Sequence, residues 1–256
     1  MQHSSLTKNK KLLMKLSVPK SKDHLSIKNS DHVIEVGCGD HPHKRANIVV
    51  DKFPDDNTHR KGDLKKWKHQ QFIEADGQDL PFETKAFDYA ICTQVLEHVA
   101  DPILFLKEQS RIAKRGYMET PSITGEYLVP KASHQWVLLD IDDKIVMYDK
   151  ELIGFKSPMD LGDIFLEYLP KFSIGYKILQ RTYPQLMTMN YEWKDEIDVL
   201  VNPDNEYYRS YFTQPWTKET CEKLWGKRQL PGEAKHSIIA MIEIIKSVFQ
   251  SKIIRR

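Results

Sequence analysis

The sequence predicts an α/β fold built on a parallel sheet covered on both faces. Short apolar runs end one after another at acidic or glycine residues, crossover-length connections separate them, and a well-capped helix lies between the fourth and the fifth. The first run, His32-Val33-Ile34-Glu35-Val36, lies between Asn29-Ser30-Asp31 and Gly37-Cys38-Gly39. The second, Ala46 to Val50, ends in Asp51, and the third, Gln71 to Ala75, ends in Asp76-Gly77. Phe87 to Cys92 is the fourth. Asp101 then caps a helix with Pro102 at its first position, Ile103, Leu106 and Ile112-Ala113 as its buried stripe, and Lys114-Arg115-Gly116 closing it. Gly116 to Thr120 is the fifth strand, stopped by Pro121.

Beyond Pro130 the pattern changes to alternation with tight turns. Gln135 to Asp140 against Lys144 to Tyr148 predicts a hairpin about Asp142-Asp143, and Thr188 to Trp193 against Glu196 to Val201 predicts a second about Lys194-Asp195. Helices are expected over Asp160 to Tyr168, Thr217 to Trp225 and Glu233 to Lys252. The expected division is a basic N-terminal arm over 1–30 and one domain over 31–256, with 31–121 as a ligand-binding core and 122–256 as hairpins and helices facing it.

At 256 residues, 40% hydrophobic and 29% charged, the chain has the composition of a globular protein, which excludes global disorder and a disulfide-stapled miniprotein. The net charge of +2 is too small to imply a polyanion partner for the whole molecule. Both ends are nevertheless basic: residues 1–30 carry seven Lys against one Asp, and residues 235–256 carry five Lys or Arg against one Glu. The Lys-rich start has no interleaved aromatic platform for RNA, and a solvated arm is expected there. The apolar spacing of Ile238, Ile242, Ile245 and Phe249 suits either a packing helix or a membrane-surface helix. Cys38, Cys92 and Cys221 form no CxxC pair, so no disulfide framework and no metal site are expected. With no apolar run of transmembrane length or signal-peptide type, a cytoplasmic location is expected.

Three consecutive strand ends carry the functional signal. Gly37 and Gly39 let a ligand approach the backbone, Asp51 can accept both hydroxyls of a ribose, and Asp76-Gly77 suits an exocyclic amine and a ring edge. The set is that of an adenosine site without the Lys and Ser/Thr of a P-loop.

On these residues, with Leu80-Pro81-Phe82, Phe87-Asp88-Tyr89 and Leu96-Glu97-His98-Val99, the segment 31–120 resembles the class I S-adenosylmethionine-dependent methyltransferases, in particular their small "type 11" group. The resemblance implies a Rossmann-like sheet with helices on both faces and S-adenosylmethionine as cofactor. It assigns the amino-acid part of the cofactor to Gly37 and Gly39 with Glu35 behind them, the ribose to Asp51, and the adenine to Asp76 and Gly77. Thr93 and the Leu96-Glu97-His98 turn would border the methyl-transfer cleft. His98 is the expected base, with Glu119 and His134 as further acceptor-side candidates. Trp136 suits the core better than a substrate contact. One departure stands out: eleven residues, among them Pro42, separate Gly39 from Asp51, so the usual first crossover helix is reduced to a turn and a third loop glycine is absent. His41, His43, Lys44 or Arg45 could then replace helix amides toward the cofactor carboxylate. The same shortening argues against a dinucleotide.

The expected reaction is methyl transfer to a small-molecule acceptor. Two rivals are a non-catalytic cofactor-binding scaffold and an RNA methyltransferase using the basic termini.

Overall fold

The computed structural model describes residues 21–56, 62–227 and 229–254; most of the basic arm lies outside them. The first four of the five predicted parallel strands form where the apolar runs placed them: β1 (Val33–Val36), β2 (Ile48–Asp51), β3 (Gln71–Glu74) and β4 (Tyr89–Thr93). With β5 (Arg115–Pro121) and the antiparallel β8 (Thr188–Lys194) they make a six-stranded sheet in the order β3-β2-β1-β4-β5-β8. Strand order reverses between β1 and β4. In open α/β sheets the connections on the two sides of such a point diverge and leave a crevice at the carboxyl edge, where ligands bind.

Helix α1 (Pro102–Ile112) follows β4 and is capped by Asp101, whose Oδ1 accepts from the Leu104 N–H at 2.9 Å. Its buried face is Phe105, Leu106, Gln109 and Ile112, positions that fall on one side at 100° per residue. Ile103, expected in that stripe, lies more than a third of a turn from the centre of this face and is exposed. The helix ends at Ile112 with Ala113 as cap, and Arg115 already belongs to β5, so the expected closure at Lys114 to Gly116 comes two residues earlier.

A second, three-stranded sheet contains β6 (Trp136–Ile141), β7 (Lys144–Asp149) and β9 (Val199–Val201). The first hairpin forms as expected: Asp142 (φ 53°) and Asp143 (φ 61°) both sit in the left-handed region that a two-residue hairpin turn requires and that Asp tolerates. The second hairpin does not form. Strand β8 pairs with β5 from Arg115↔Lys194 to Pro121↔Thr188, whereas β9 runs parallel to β7. The reason is burial: Met189 to Trp193 are all inside, and only a partner as long as β5 satisfies that backbone.

Trp136, Leu138, Ile145 and Met147 of the second sheet pack with Ile34, Val36, Phe105, Met118 and Tyr191 in the main core. Trp136 is thus a core residue, its Nε1–H donating to the Val99 carbonyl at 2.8 Å. On the other face Val33, Val49, Tyr89, Ile91 and Tyr117 are covered by Leu25, Ile27, Ala46 and Leu64, which lie in non-helical segments. Residues 39–47 form turns, as their length requires.

Residues 25–31 therefore belong to the core's cover rather than to a loose arm. Buried Glu192 accepts from Tyr89 Oη at 2.5 Å and from the Ser26 hydroxyl, while Arg115 donates to the Ser26 carbonyl at 2.8 Å and to Asp31 at 2.5 Å.

The remaining helices are α2 (Ile123–Leu128), α3 (Leu169–Phe172), α4 (Ile174–Thr182), α5 (Glu206–Thr213), α6 (Lys218–Trp225) and α7 (Leu230–Ile254), with a π-helical turn over Asp163–Tyr168. Of these, α2, α3, α4 and α5 were not anticipated from the sequence. Helix α7 buries Ala240 and Ile244 and leaves Ile238, Met241, Ile242 and Ile245 exposed. No helix among the described residues is long and apolar enough to cross a membrane.

Glu192→Ala strips the acceptor from the Tyr89 hydroxyl and should lower unfolding free energy by about 2–3 kcal/mol, the scale of a buried unsatisfied partner. Urea unfolding checks this. A loss near zero would mean that Glu192 contributes nothing to holding the 25–31 segment.

Candidate functional site

The predicted ligand residues converge on the carboxyl edge at the strand-order reversal. Leaving β1, the chain turns through Gly37 (φ 76°), where a Cβ would come within 2.1 Å of Val95 Cγ2. Only glycine fits, both for its φ and because the loop after β4 lies against it. Gly39 (φ 53°) has open space where its Cβ would point. Its N–H donates to Asp51 Oδ2 at 3.1 Å, and Asp51 Oδ1 accepts from the Phe53 N–H at 3.0 Å. Asp51 thus joins the two strand ends directly.

Glu35 lies inside the fold, not in the crevice. Its Oε2 accepts from the His43 N–H at 2.5 Å, and its Oε1 has no hydrogen-bond partner. Burial pushes its pKa up to about 7, against the opposing pull of Lys22 and of the His43 N–H. Glu35 therefore supports the loop from beneath.

Of the four suggested cationic or donor groups, two are committed elsewhere. His43 is buried, with its carbonyl accepting from Gln70 Nε2 at 2.8 Å, and Arg45 donates to the Lys28 and Asn29 carbonyls. Lys44 is exposed, and the His41 ring lies 2.9 Å from Asp40.

Asp76 accepts from Lys52 Nζ at 2.6 Å and from the Gln78 N–H at 2.9 Å. Partial burial works against its ionisation, but Lys52 and the Gln78 N–H outweigh it and hold the carboxyl below the usual range. A Cβ on Gly77 would come within 2.5 Å of Phe105, so this turn sits tightly against α1. Gln78 Oε1 accepts from the Asp101 N–H at 3.0 Å, and Gln109 holds the Gly77 carbonyl at 3.2 Å.

Across the crevice Thr93 ends β4 in register with Glu119 of β5. Glu119 accepts from Tyr117 Oη at 2.5 Å. After Val95 the chain forms a single tight turn, Leu96–His98. Glu97 is fully buried and neither carboxylate oxygen has a hydrogen-bond partner; burial, reinforced by Glu126 and Glu119, pushes its pKa to about 8. The His98 and His134 rings meet edge to face with centroids 4.6 Å apart. His98 Nδ1 contacts the Ser133 carbonyl at 3.0 Å, which requires the proton on Nδ1. His134 Nδ1 lies 2.6 Å from Glu126 Oε2, and Lys150 pairs with the other oxygen of Glu126. Burial opposes ionisation of Glu126, but His134, Lys150 and the Lys131 N–H hold it below the usual range.

Sequence reasoning missed Glu97 as a site residue in its own right, and Glu126 and Lys150 entirely. Their only signal was polarity within an apolar context. A cavity of about 460 Å³ lined by Ile123, Thr124, Tyr127, Phe212 and Trp216 shares α2 with Glu126 but includes none of the predicted residues.

Residues 34–118, about a third of the chain, match the family model described as "Methyltransferase domain". No curated protein matches the sequence. Among solved structures, a SAM-dependent methyltransferase from Thermotoga maritima is 21% identical, with a TM-score of 0.28 over 38% of this chain and 46% of its own. The chain thus spans less than half of that relative. A SAM-dependent methyltransferase from Methanosarcina mazei is 18% identical, with a TM-score of 0.27 over 36% of this chain and 53% of its own. A protein from Pyrococcus horikoshii is 16% identical, with a TM-score of 0.35 over 66% and 84%.

Raising a buried carboxyl's pKa makes the folded state bind a proton that the unfolded state releases between its ordinary value of 4.5 and about 7. Glu35 is neutral in both states below that window, so its penalty grows as pH rises through the window and is complete above it. Glu35→Gln should therefore flatten the fall in stability between these pH values, by on the order of 2–3 kcal/mol relative to wild type. Urea unfolding at pH 5 and pH 8 tests it. Parallel pH profiles for the two proteins would contradict the assignment.

Proposed function

We propose that this protein transfers a methyl group from S-adenosylmethionine to a small-molecule acceptor. One observation carries the reading: the glycine loop, Asp51 and Asp76 end three adjacent strands beside the strand-order reversal, within the segment that matches a methyltransferase domain. The open space at Gly39 and the two carboxylates fit an adenosine-bearing ligand.

Gly37 and Gly39 would pass along the amino-acid part of the cofactor, Asp51 would take the ribose hydroxyls, and Asp76 with Gly77 would face the adenine edge. When bound, S-adenosylmethionine supplies a methyl carbon on a sulfonium that is already electrophilic, so the protein's contribution is alignment and exclusion of water. Thr93 and the 94–98 turn close the cofactor side toward the acceptor. Glu119, His98 and His134 face the acceptor from β5, the turn and the segment before β6. The His98 Nδ1–H is committed to the Ser133 carbonyl, which fixes the orientation of the ring. The charge balance of the chain favours a small acceptor over RNA.

Calorimetry should detect both S-adenosylmethionine and S-adenosylhomocysteine, since Asp51 and Asp76 face parts common to the two. Asp51→Ala should weaken both by about 1–3 kcal/mol, the scale for hydrogen bonds to a charged group. Absence of binding by either ligand at millimolar concentration would refute the assignment. Binding without turnover on a broad acceptor panel would favour the scaffold reading.

A further inference from the structure

We propose that Glu97, His98 and His134 form a binding site for a divalent transition-metal ion of the Zn²⁺ type, with an open coordination position toward the crevice. One ligand atom from each of the three lies within 4.8 Å of the others. Metal bonds of about 2.0–2.2 Å would bring such atoms to roughly 3.5 Å, a closure of about an ångström that side-chain rotation can provide.

The surroundings are those of a ligand set. A metal-bound imidazole usually anchors its second nitrogen on a carboxylate or a backbone carbonyl, which fixes the ring and its tautomer. His134 has Glu126 in that role, itself held by Lys150, and His98 has the Ser133 carbonyl. His98 Nε2 lies 4.0 Å from Glu97 Oε1. Glu97 is the independent observation. A fully buried carboxyl with no hydrogen bond to either oxygen is costly, and coordination removes that cost.

Two imidazoles and one carboxylate favour Zn²⁺, Co²⁺ or Mn²⁺ over Mg²⁺ and Ca²⁺, which prefer oxygen-only sets. Three protein ligands also leave the fourth position that distinguishes a reactive site from a structural one. Resting on the proposed methyl transfer, that position would take an acceptor oxygen, which points to a hydroxyl-bearing acceptor.

The test uses the full chain stripped with a chelator, without cofactor or acceptor, so its outcome does not depend on methyl transfer. Zn²⁺ titrated by calorimetry should bind at one ion per chain, with Mg²⁺ far weaker. X-ray absorption at the zinc edge should find imidazole ligands in the wild-type protein. Glu97→Gln, His98→Gln and His134→Gln, each checked for folding by circular dichroism, should weaken Zn²⁺ by at least the roughly 10–100-fold that losing only an outer-shell partner costs. No stoichiometric Zn²⁺ binding, a zinc edge without imidazole, or undiminished affinity in any folded variant would overturn the proposal. The zinc-edge measurement decides the matter even where a variant does not fold.

Discussion

Val95 lies against the bare face of Gly37, and the two halves of the site meet through that contact. A Cβ at Gly37 would stand 2.1 Å from the Val95 side chain, so the loop after β1 and the loop after β4 can share the carboxyl edge only because a glycine stands there. The sheet reverses its strand order between these two strands. The turns that follow β1, β2 and β3 and the turn that follows β4 thus lie along the same carboxyl edge, on the two sides of the reversal. Because Val95 is pinned, the next residues turn sharply, and Glu97 and His98 are delivered beside the entry to β6.

The β1–β2 connection meets its shortage of residues with buried polar contacts in place of a crossover helix. Glu35 holds the His43 N–H from below, Gln70 holds the His43 and Ala46 carbonyls, and Asp51 bridges to Gly39. A helix would have satisfied these backbone groups internally. Here side chains from three strands and their loops do so. The face that such a helix would cover is closed by Leu25 and Ile27, which Glu192 and Arg115 fasten to the sheet through Ser26 and Asp31. The polar contacts and the docked 25–31 segment thus belong to one adaptation.

Much of this was legible in the sequence because it is local. Apolar runs stopped by Gly37, Asp51 and Asp76 mark strand ends, Asp101-Pro102 marks a helix start, and Asp142-Asp143 marks a turn. The phase of α1 was misread at Ile103 because apolar residues lie on more than one side of it, and only packing selects Phe105. The partner of β8 was illegible because antiparallel alternation does not name its neighbour: the nearest run in sequence, β9, is too short to satisfy a strand buried from Met189 to Trp193. The meeting of Glu97 and His98 with His134 depends on β6 returning to the 96–98 turn, a contact between segments far apart in the chain.

The crystal structure of the full chain with S-adenosylhomocysteine tests the central claim most directly. The account predicts the ligand at the carboxyl edge of β1 and β2, its amino-acid part over Gly37 and Gly39, its ribose on Asp51, its adenine beside Asp76 and Gly77, and its sulfur toward Thr93 and His98. A ligand seated instead in the cavity between Ile123 and Trp216, or ordered elsewhere with the Gly37 to Gly39 loop untouched, would contradict it.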